Sequence, residues 1–426
     1  LLIEHSEKAI WDEELLLLLD ENTSRNPEFS YENYDRFNLE EIEEPECKAN
    51  FRFQKDDIPE LAEVLGLPEV FRCSQRTVAD QLEGLCLRLR RMAYPCDYSD
   101  LIPQFGRPAP ELSMISNRVI DEIFNQHAHR IKQCNHAILN PYQLEIYADA
   151  IHTKGAGLNN CFGFVDGTVR AISRPIENQE IVYNGHKRIP ALKFQSVTLP
   201  NGLIANMYGA VGKSHKKLII RMITNETLNG VLPFNNHNHP FSLVKLKQIY
   251  YYFEFCKCNE FFGERQHQLR SGKGGQEVHD HTNCIYFLSS FQRVSDMMLG
   301  ESHLLNDLER FAFSTGGQPM CIYGDPAYPV RVHLQSPYKG NRLMPAMEAF
   351  NESMSKVRTS VEWVFGDIIR SFKFMDFKNN LKIGLSQIGK MYLVCALLQN
   401  VITCMYGNQT SNYFDLNPPT VHEYFN

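Results

Sequence analysis

Apolar and polar residues follow different rhythms along this chain. Residues 1–68 show little periodicity. From about Phe71 the rhythm is helical. In "RTVADQLEGLCLRLRRMAY", Val78, Leu82, Leu85 and Leu89 share one face, which predicts an amphipathic helix. "DYSDLIPQFGRP" follows, and then "APELSMISNRVIDEIFNQHAHRI", where Leu112, Ile115, Val119, Ile120 and Ile123 mark a second helical face. Asp97 or Ser99 is placed to cap the short middle helix, and Gly106 to end it.

From Cys161 the period shortens. "CFGFVDGTV", "LKFQSVTL" and "LIANMYGAV" are apolar or β-branched runs that predict strands, and "PNG" at 200–202 supplies a hairpin turn between the last two. "PMCIYGD" predicts another strand. "EAFNESMSKVRTSVEWVFGDIIRSFKFM" predicts one long helix with Phe350, Met354, Val357, Val361, Val364 and Ile368 on its inner side. This order is consistent with an α/β fold, a mixed sheet with flanking helices. The helices of 69–150 resemble a helix-turn-helix, with Arg118 and other exposed polar residues of the last helix as readers; a helical region that only packs has the same periodicity.

A chain of 426 residues can bury a full core and is expected to hold two or three domains. "MYLVCALLQNVITCMY" is interrupted by Gln399 and Asn400, which predicts a buried helix rather than a membrane span. The chain opens on Leu1, so a natural start upstream is expected. Twelve cysteines without regular spacing suggest reduced thiols in a cytosolic or nuclear protein. Net charge is −7, but residues 1–50 hold 15 acidic and 4 basic residues, a balance of −11, which leaves +4 for the rest. The acidic block therefore reads as a solvated, flexible N-terminal segment, and the remainder permits nucleic-acid binding.

Three acids carry the candidate chemistry. Asp166 and Asp325 each end an apolar run, and Glu362 lies mid-helix, with 36 residues between it and Asp325. Converging carboxylates repel one another and bind protons or hard cations, favouring Mg²⁺ or Mn²⁺ over Zn²⁺. Two such ions about 4 Å apart can activate water or a 3′-hydroxyl against a phosphodiester. The bland readings are a turn-forming Asp before Gly, and a solvated helical Glu paired with Arg358 one turn earlier.

"GFVDGTVRAISRP", "YNGHKR…ALKFQSVTLPNG", "YGDPAYPVRVHLQSPY" and "FNESMSKVRTSVEWVFGDI" together resemble the nuclease domain of the PIF/Harbinger transposase superfamily, from about Cys161 to Lys373. The resemblance implies an RNase H-like fold and a metal-binding DDE triad of Asp166, Asp325 and Glu362. It implies a DNA endonuclease or transposase-derived nuclease using Mg²⁺ (or Mn²⁺), located in the nucleus and paired with a separate Myb-like DNA-binding protein. A domesticated DNA-binding or scaffold protein without activity is the alternative. His186, Lys187, Arg188 and Lys193 form a basic cluster suited to DNA phosphate, and Arg358 is suited either to steadying Glu362 or to phosphate.

One departure from the family pattern stands out. The "HD" pair expected after "YGAVG" is replaced by His215–Lys216, and Asp296 in "RVSDMMLGESHLLNDLERFAF" stands where that aspartate belongs about 80 residues later. An insertion at 213–292 accounts for the split, either as folded sequence or as an intron read into the protein. Its Cys256, Cys258, His279, His281 and Cys284 also allow a zinc site, although Cys-x-Cys spacing is unusual for one. The expected domains are an acidic segment at 1–68, the helical region at 69–150, the nuclease domain at 155–405 and a C-terminal tail at 406–426.

Overall fold

The computed structural model describes residues 30–134, 138–176, 179–185, 187–211, 298–340, 342–383 and 386–426. The expected insertion at 213–292, its zinc residues, Asp296 and His186 lie outside the described residues.

The acidic segment differs from expectation as soon as the described chain begins. Helices α1 (Glu44–Phe51) and α2 (Asp57–Val64) form within it, and Cys47, Phe51, Phe53, Ile58, Leu61 and Leu65 are all fully buried. Its charge misled because the acids occupy outer positions, Glu43, Glu44 and Glu46 being exposed, while a few apolar residues face the core.

Strands β1 (Val70–Arg72) and β2 (Val78–Asp80) pair antiparallel, so Val78 belongs to a hairpin and not to the helix that its spacing suggested. Asp80 then caps α3 (Gln81–Ala93), its carboxylate accepting from the Glu83 N–H at 2.8 Å. The short α4 (Ile102–Phe105) ends at Gly106 as expected, in the left-handed conformation at φ 56°. Neither Asp97 nor Ser99 caps the turn before it; the Asp100 carboxylate accepts from the Asp97 N–H instead, at 2.7 Å. The long α5 (Ala109–His127) packs on α3. Between them Arg107 is buried against two acids: its guanidinium donates to both Glu83 oxygens, to Glu111 at 2.8 Å and to the Val78 carbonyl at 2.8 Å.

Helix α6 (Pro141–Thr153) leads into a mixed sheet. Strand β3 (Cys161–Ala171) pairs antiparallel with β5 (Ile189–Thr198), which pairs antiparallel with β6 (Ile204–Val211), while the short β4 (Tyr183–Asn184) extends the start of β5. The β5–β6 turn falls on the expected residues, where the Gly202 N–H donates to the Leu199 carbonyl at 3.0 Å. On the other side of β3, β7 (Cys321–Tyr323) and β8 (Leu334–Gln335) run parallel to it. The spatial order is thus β6–β5–β3–β7–β8. In chain order among these five strands it reads third, second, first, fourth, fifth.

Helix α7 (Leu304–Phe311) precedes β7. Helices α8 (Pro345–Arg358) and α9 (Ser360–Ser371) occupy the predicted single helix, and Met354, Val357, Val361, Val364 and Ile368 are buried as the spacing requires. A break separates them at Thr359, whose hydroxyl donates to the Ser355 and Lys356 carbonyls. Helix α10 (Ile388–Tyr406) is long and apolar enough to cross a membrane, but 83% of that stretch is buried inside the protein. Asn400 explains the polar interruption within it. Its side-chain amide accepts from the Ile204 N–H and donates to the Ile204 carbonyl, both at 2.9 Å, so it pairs with β6 as a further strand would. Residues beyond 406 pack against the body through helices Gln409–Phe414 and Val421–Phe425, with Phe414, Val421 and Tyr424 buried.

The seam expected near residue 150 is absent among the described residues. Helix α5 packs on α10 and α6 packs on β3, so the helical region and the sheet share one hydrophobic core.

Candidate active site

The parallel register of β3 and β7 positions the two aspartates. Phe164 pairs with Tyr323, and two residues beyond each lie Asp166 and Asp325. Each therefore follows the last residue of the β3–β7 pairing by two positions, Asp166 still on β3 and Asp325 just past the end of β7. Asp166 is not at a strand end as expected. It stays on β3 opposite Ser196 of β5, and only the pairing with β7 stops before it.

β7 stops because the chain turns. The Asp325 carboxylate accepts from the Ala327 N–H at 2.8 Å, and its carbonyl accepts from the Tyr328 N–H at 3.1 Å. The turn-forming role of an Asp is thus present alongside whatever chemistry the group performs. A Cβ at Gly324 would meet the Tyr328 ring at 2.6 Å, so only glycine lets that buried ring fold back under the turn. The Tyr328 hydroxyl donates to Gln195 Oε1 at 3.4 Å.

Glu362 lies exposed in the first turn of α9, which packs against β3. Arg358 ends α8. Each suits the dipole of its own helix end. Arg358 pairs with Asp166 and not with Glu362: its Nη1 lies 3.3 Å from Asp166 Oδ2, in an ion pair whose side chains are 22% and 17% exposed.

Electrostatics link the three acids. Burial pushes the Asp166 carboxyl up to about 6, against the pull of Arg358 and of the Gly167 N–H bond, and the charges of Asp325 and Glu362 push it further the same way. A rise of that size corresponds to about 3 kcal/mol of strain on the ionised group. Two hydroxyls beside the site, Ser196 Oγ and Tyr323 Oη, are buried without a hydrogen-bond partner.

Such a donor set suits a hard divalent cation: oxygen ligands, excess negative charge, and orphaned hydroxyls nearby. The arrangement is not closed, because among the described residues no three His, Cys, Asp or Glu side chains stand close enough to hold a metal ion. Arg358 supplies the positive charge at Asp166.

The expected phosphate cluster does not gather at the carboxylates. Lys187 and Arg188 are exposed in the β4–β5 turn, and Arg188 is eight residues from Ser196, roughly 25 Å at strand rise. Lys193 lies within β5, three residues from Ser196, or about 10 Å. Sequence reasoning did not single out Tyr328, Gln195 or Ser196. The tyrosine three residues after Asp325 and the glycine before it were the available signal, since a turn that admits a large ring requires both.

Residues 288–400 match the family model described as "DDE superfamily endonuclease". That span includes Asp325 and Glu362 and supports a transposase-derived nuclease. Endonucleases of this superfamily generally use divalent metal ions. No curated protein and no solved structure matches the chain.

Proposed function

We propose that this chain is a metal-dependent DNA endonuclease of the Harbinger type, in which Asp166, Asp325 and Glu362 hold Mg²⁺ or Mn²⁺. One observation carries the reading: two aspartates, each two residues past the last paired position of two adjacent parallel strands, with Asp325 and Glu362 both acting electrostatically on Asp166. The strand order supports an RNase H-like core, since three antiparallel strands followed by two parallel to the first place both aspartates beside the central strand. When bound, a divalent cation supplies Lewis acidity towards the phosphate and lowers the pKa of bound water.

The chain's own residues set the conditions for that chemistry. The Asp325 turn fixes one carboxylate, clamped from below by the buried Tyr328. β3 fixes the other, and Arg358 and Glu362 lie at the adjoining ends of two helices that meet at Thr359. Arg358 holds Asp166 ionised near neutral pH and, once released from it, is placed to contact the scissile phosphate. DNA as substrate, the nucleus as location and a separate Myb-like partner belong to the same proposal, as does DNA contact by the exposed side of α5 around Arg118.

A second reading, a DNA-binding or scaffold protein that does not cut, is favoured by the Arg358–Asp166 pair and the open ligand set. Nicking of supercoiled plasmid separates the two. Wild-type protein is expected to nick with Mg²⁺ and Asp325→Ala is not; equal nicking by both removes the catalytic assignment.

A further inference from the structure

Beyond Asp166, β3 runs on into a region that the carboxylates do not use. The Ile172 N–H donates to the Pro190 carbonyl at 3.0 Å, and Pro190 is the residue of β5 that pairs with Tyr183 of β4. Ser173 is tied to a separate part of the chain. Its N–H donates to the Leu381 carbonyl at 3.0 Å and its hydroxyl to the Lys378 carbonyl at 3.0 Å. Three segments distant in sequence, 172–176, 183–190 and 373–382, therefore meet at one end of the sheet.

Their exposed side chains have a common character. Arg174, Lys187, Arg188, Lys378 and Lys382 are all exposed, and among the described residues none of them has a carboxylate partner. Among the described residues, Glu180 and Asp376 are the nearby exposed acids, and cations outnumber them. Large apolar groups stand among the cations: Phe377 is 43% exposed and Tyr183 41% exposed. A soluble chain gains nothing for its own stability from a bare phenylalanine set among like charges. Cations that follow a backbone, together with an aromatic ring for a base, are what nucleic acid recognition requires. Ser173 is seven residues beyond Asp166, about 23 Å along the strand, or roughly seven nucleotide steps of duplex.

We propose that this end of the sheet is a DNA-binding surface. Lys187, Arg188, Lys378 and Lys382 contact the phosphates that flank the reacting position, and Phe377 stacks on an unpaired base at a DNA end. The proposal deepens the endonuclease reading and rests on it for the identity of the polymer, but not for the existence of the surface. It gives the 373–382 loop a role, and it assigns Lys187 and Arg188 to flanking DNA rather than to the metal site.

Fluorescence anisotropy in EDTA, with a fully paired duplex and with one carrying an unpaired end, tests it across a KCl series. Lys378→Ala/Lys382→Ala is expected to weaken binding of both DNAs ten- to a hundredfold, and to reduce the log–log salt slope by about two, since each lost phosphate contact removes about 0.9. Phe377→Ala is expected to weaken only the DNA with the unpaired end and to leave the slope unchanged. Unchanged affinity and slope for the double variant, with a wild-type melting temperature, overturns the proposal. So does an equal loss of binding to anionic vesicles and to DNA, which would mark a membrane surface. Plasmid nicking by Asp325→Ala reports separately on the endonuclease reading, so either idea can fail without the other.

Discussion

Two charge clusters in this molecule, one buried and one partly exposed, differ in how completely they are satisfied. Around Arg107, Glu83 and Glu111 surround one guanidinium whose three nitrogens each donate to oxygen, and although burial opposes it, those partners raise the arginine's pKa. Around Asp166, one arginine makes a single contact of 3.3 Å, the charges of two further acids act on the same group, and burial above all pushes the carboxyl up to about 6. The first cluster locks β2 to α3 and α5 and has no remaining capacity for a ligand. The second leaves negative charge only partly compensated at a partly exposed position of β3. A balanced network stabilises a fold; an unbalanced one stores affinity for something still to come.

The comparison can be broken in several places. The largest effect is expected from Asp166→Asn, which should cost about a thousandfold or more in Mg²⁺-dependent nicking, a barrier of roughly 4 kcal/mol. At pH 7.5 its thermal stability should be equal to wild type or higher, because a strained buried charge is gone. A clear loss of melting temperature in this variant would place Asp166 with Arg107 as a structural charge. Glu83→Ala should do the opposite, destabilising by about 3–5 kcal/mol by leaving Arg107 short of a partner in the interior. Chemical denaturation measures it, and a loss below about 1 kcal/mol would contradict the satisfied network.

Next in size is metal. Mn²⁺ at a hundred times its dissociation constant should stabilise the wild type by about 2.7 kcal/mol. It should stabilise Asp325→Asn far less, as read from melting curves in the presence and absence of the ion.

A smaller effect is expected from pH. The folded pKa of Asp166 is raised, so its contribution to stability is full below its ordinary value and is lost as pH rises through about 6. Metal-free wild type should therefore lose a few degrees of melting temperature, on the order of 1–3 kcal/mol, between pH 5 and 7 relative to Asp166→Asn. Parallel pH curves for the two proteins would remove the strained carboxylate. The smallest change is expected from Arg118→Ala. Its exposed pairing with Glu122 one helical turn away should be worth under about 0.5 kcal/mol.

Much of the sheet was legible in the residues. The β5 and β6 runs, the 200–202 turn and the buried face of α8 and α9 follow from period alone. Other features were not. β1 and β2 are three residues each, too short to show alternation, and so Val78 was absorbed into the helix that follows. The helices of 44–64 were hidden by acids that surround a few buried aromatic and aliphatic residues. For the site, two apolar runs that each reach an aspartate suggested a meeting place, but no local signal gives the register between strands about 160 residues apart. Nor could spacing foresee that Arg358 pairs with Asp166, 192 residues away in sequence, rather than with its helical neighbour Glu362.

That parallel pairing has a consequence for how the protein comes into being. As the chain leaves the ribosome, β3, β5 and β6 emerge together and form a meander that already carries Asp166, yet the strand that brings Asp325 arrives only after the long intervening stretch. Glu362 follows later still, and the helix whose Asn400 seals the meander's bare edge comes near the end of translation. Under the proposed endonuclease reading, a polypeptide halted early lacks two of its three acids, because the order of synthesis withholds them until the enclosing body is nearly complete.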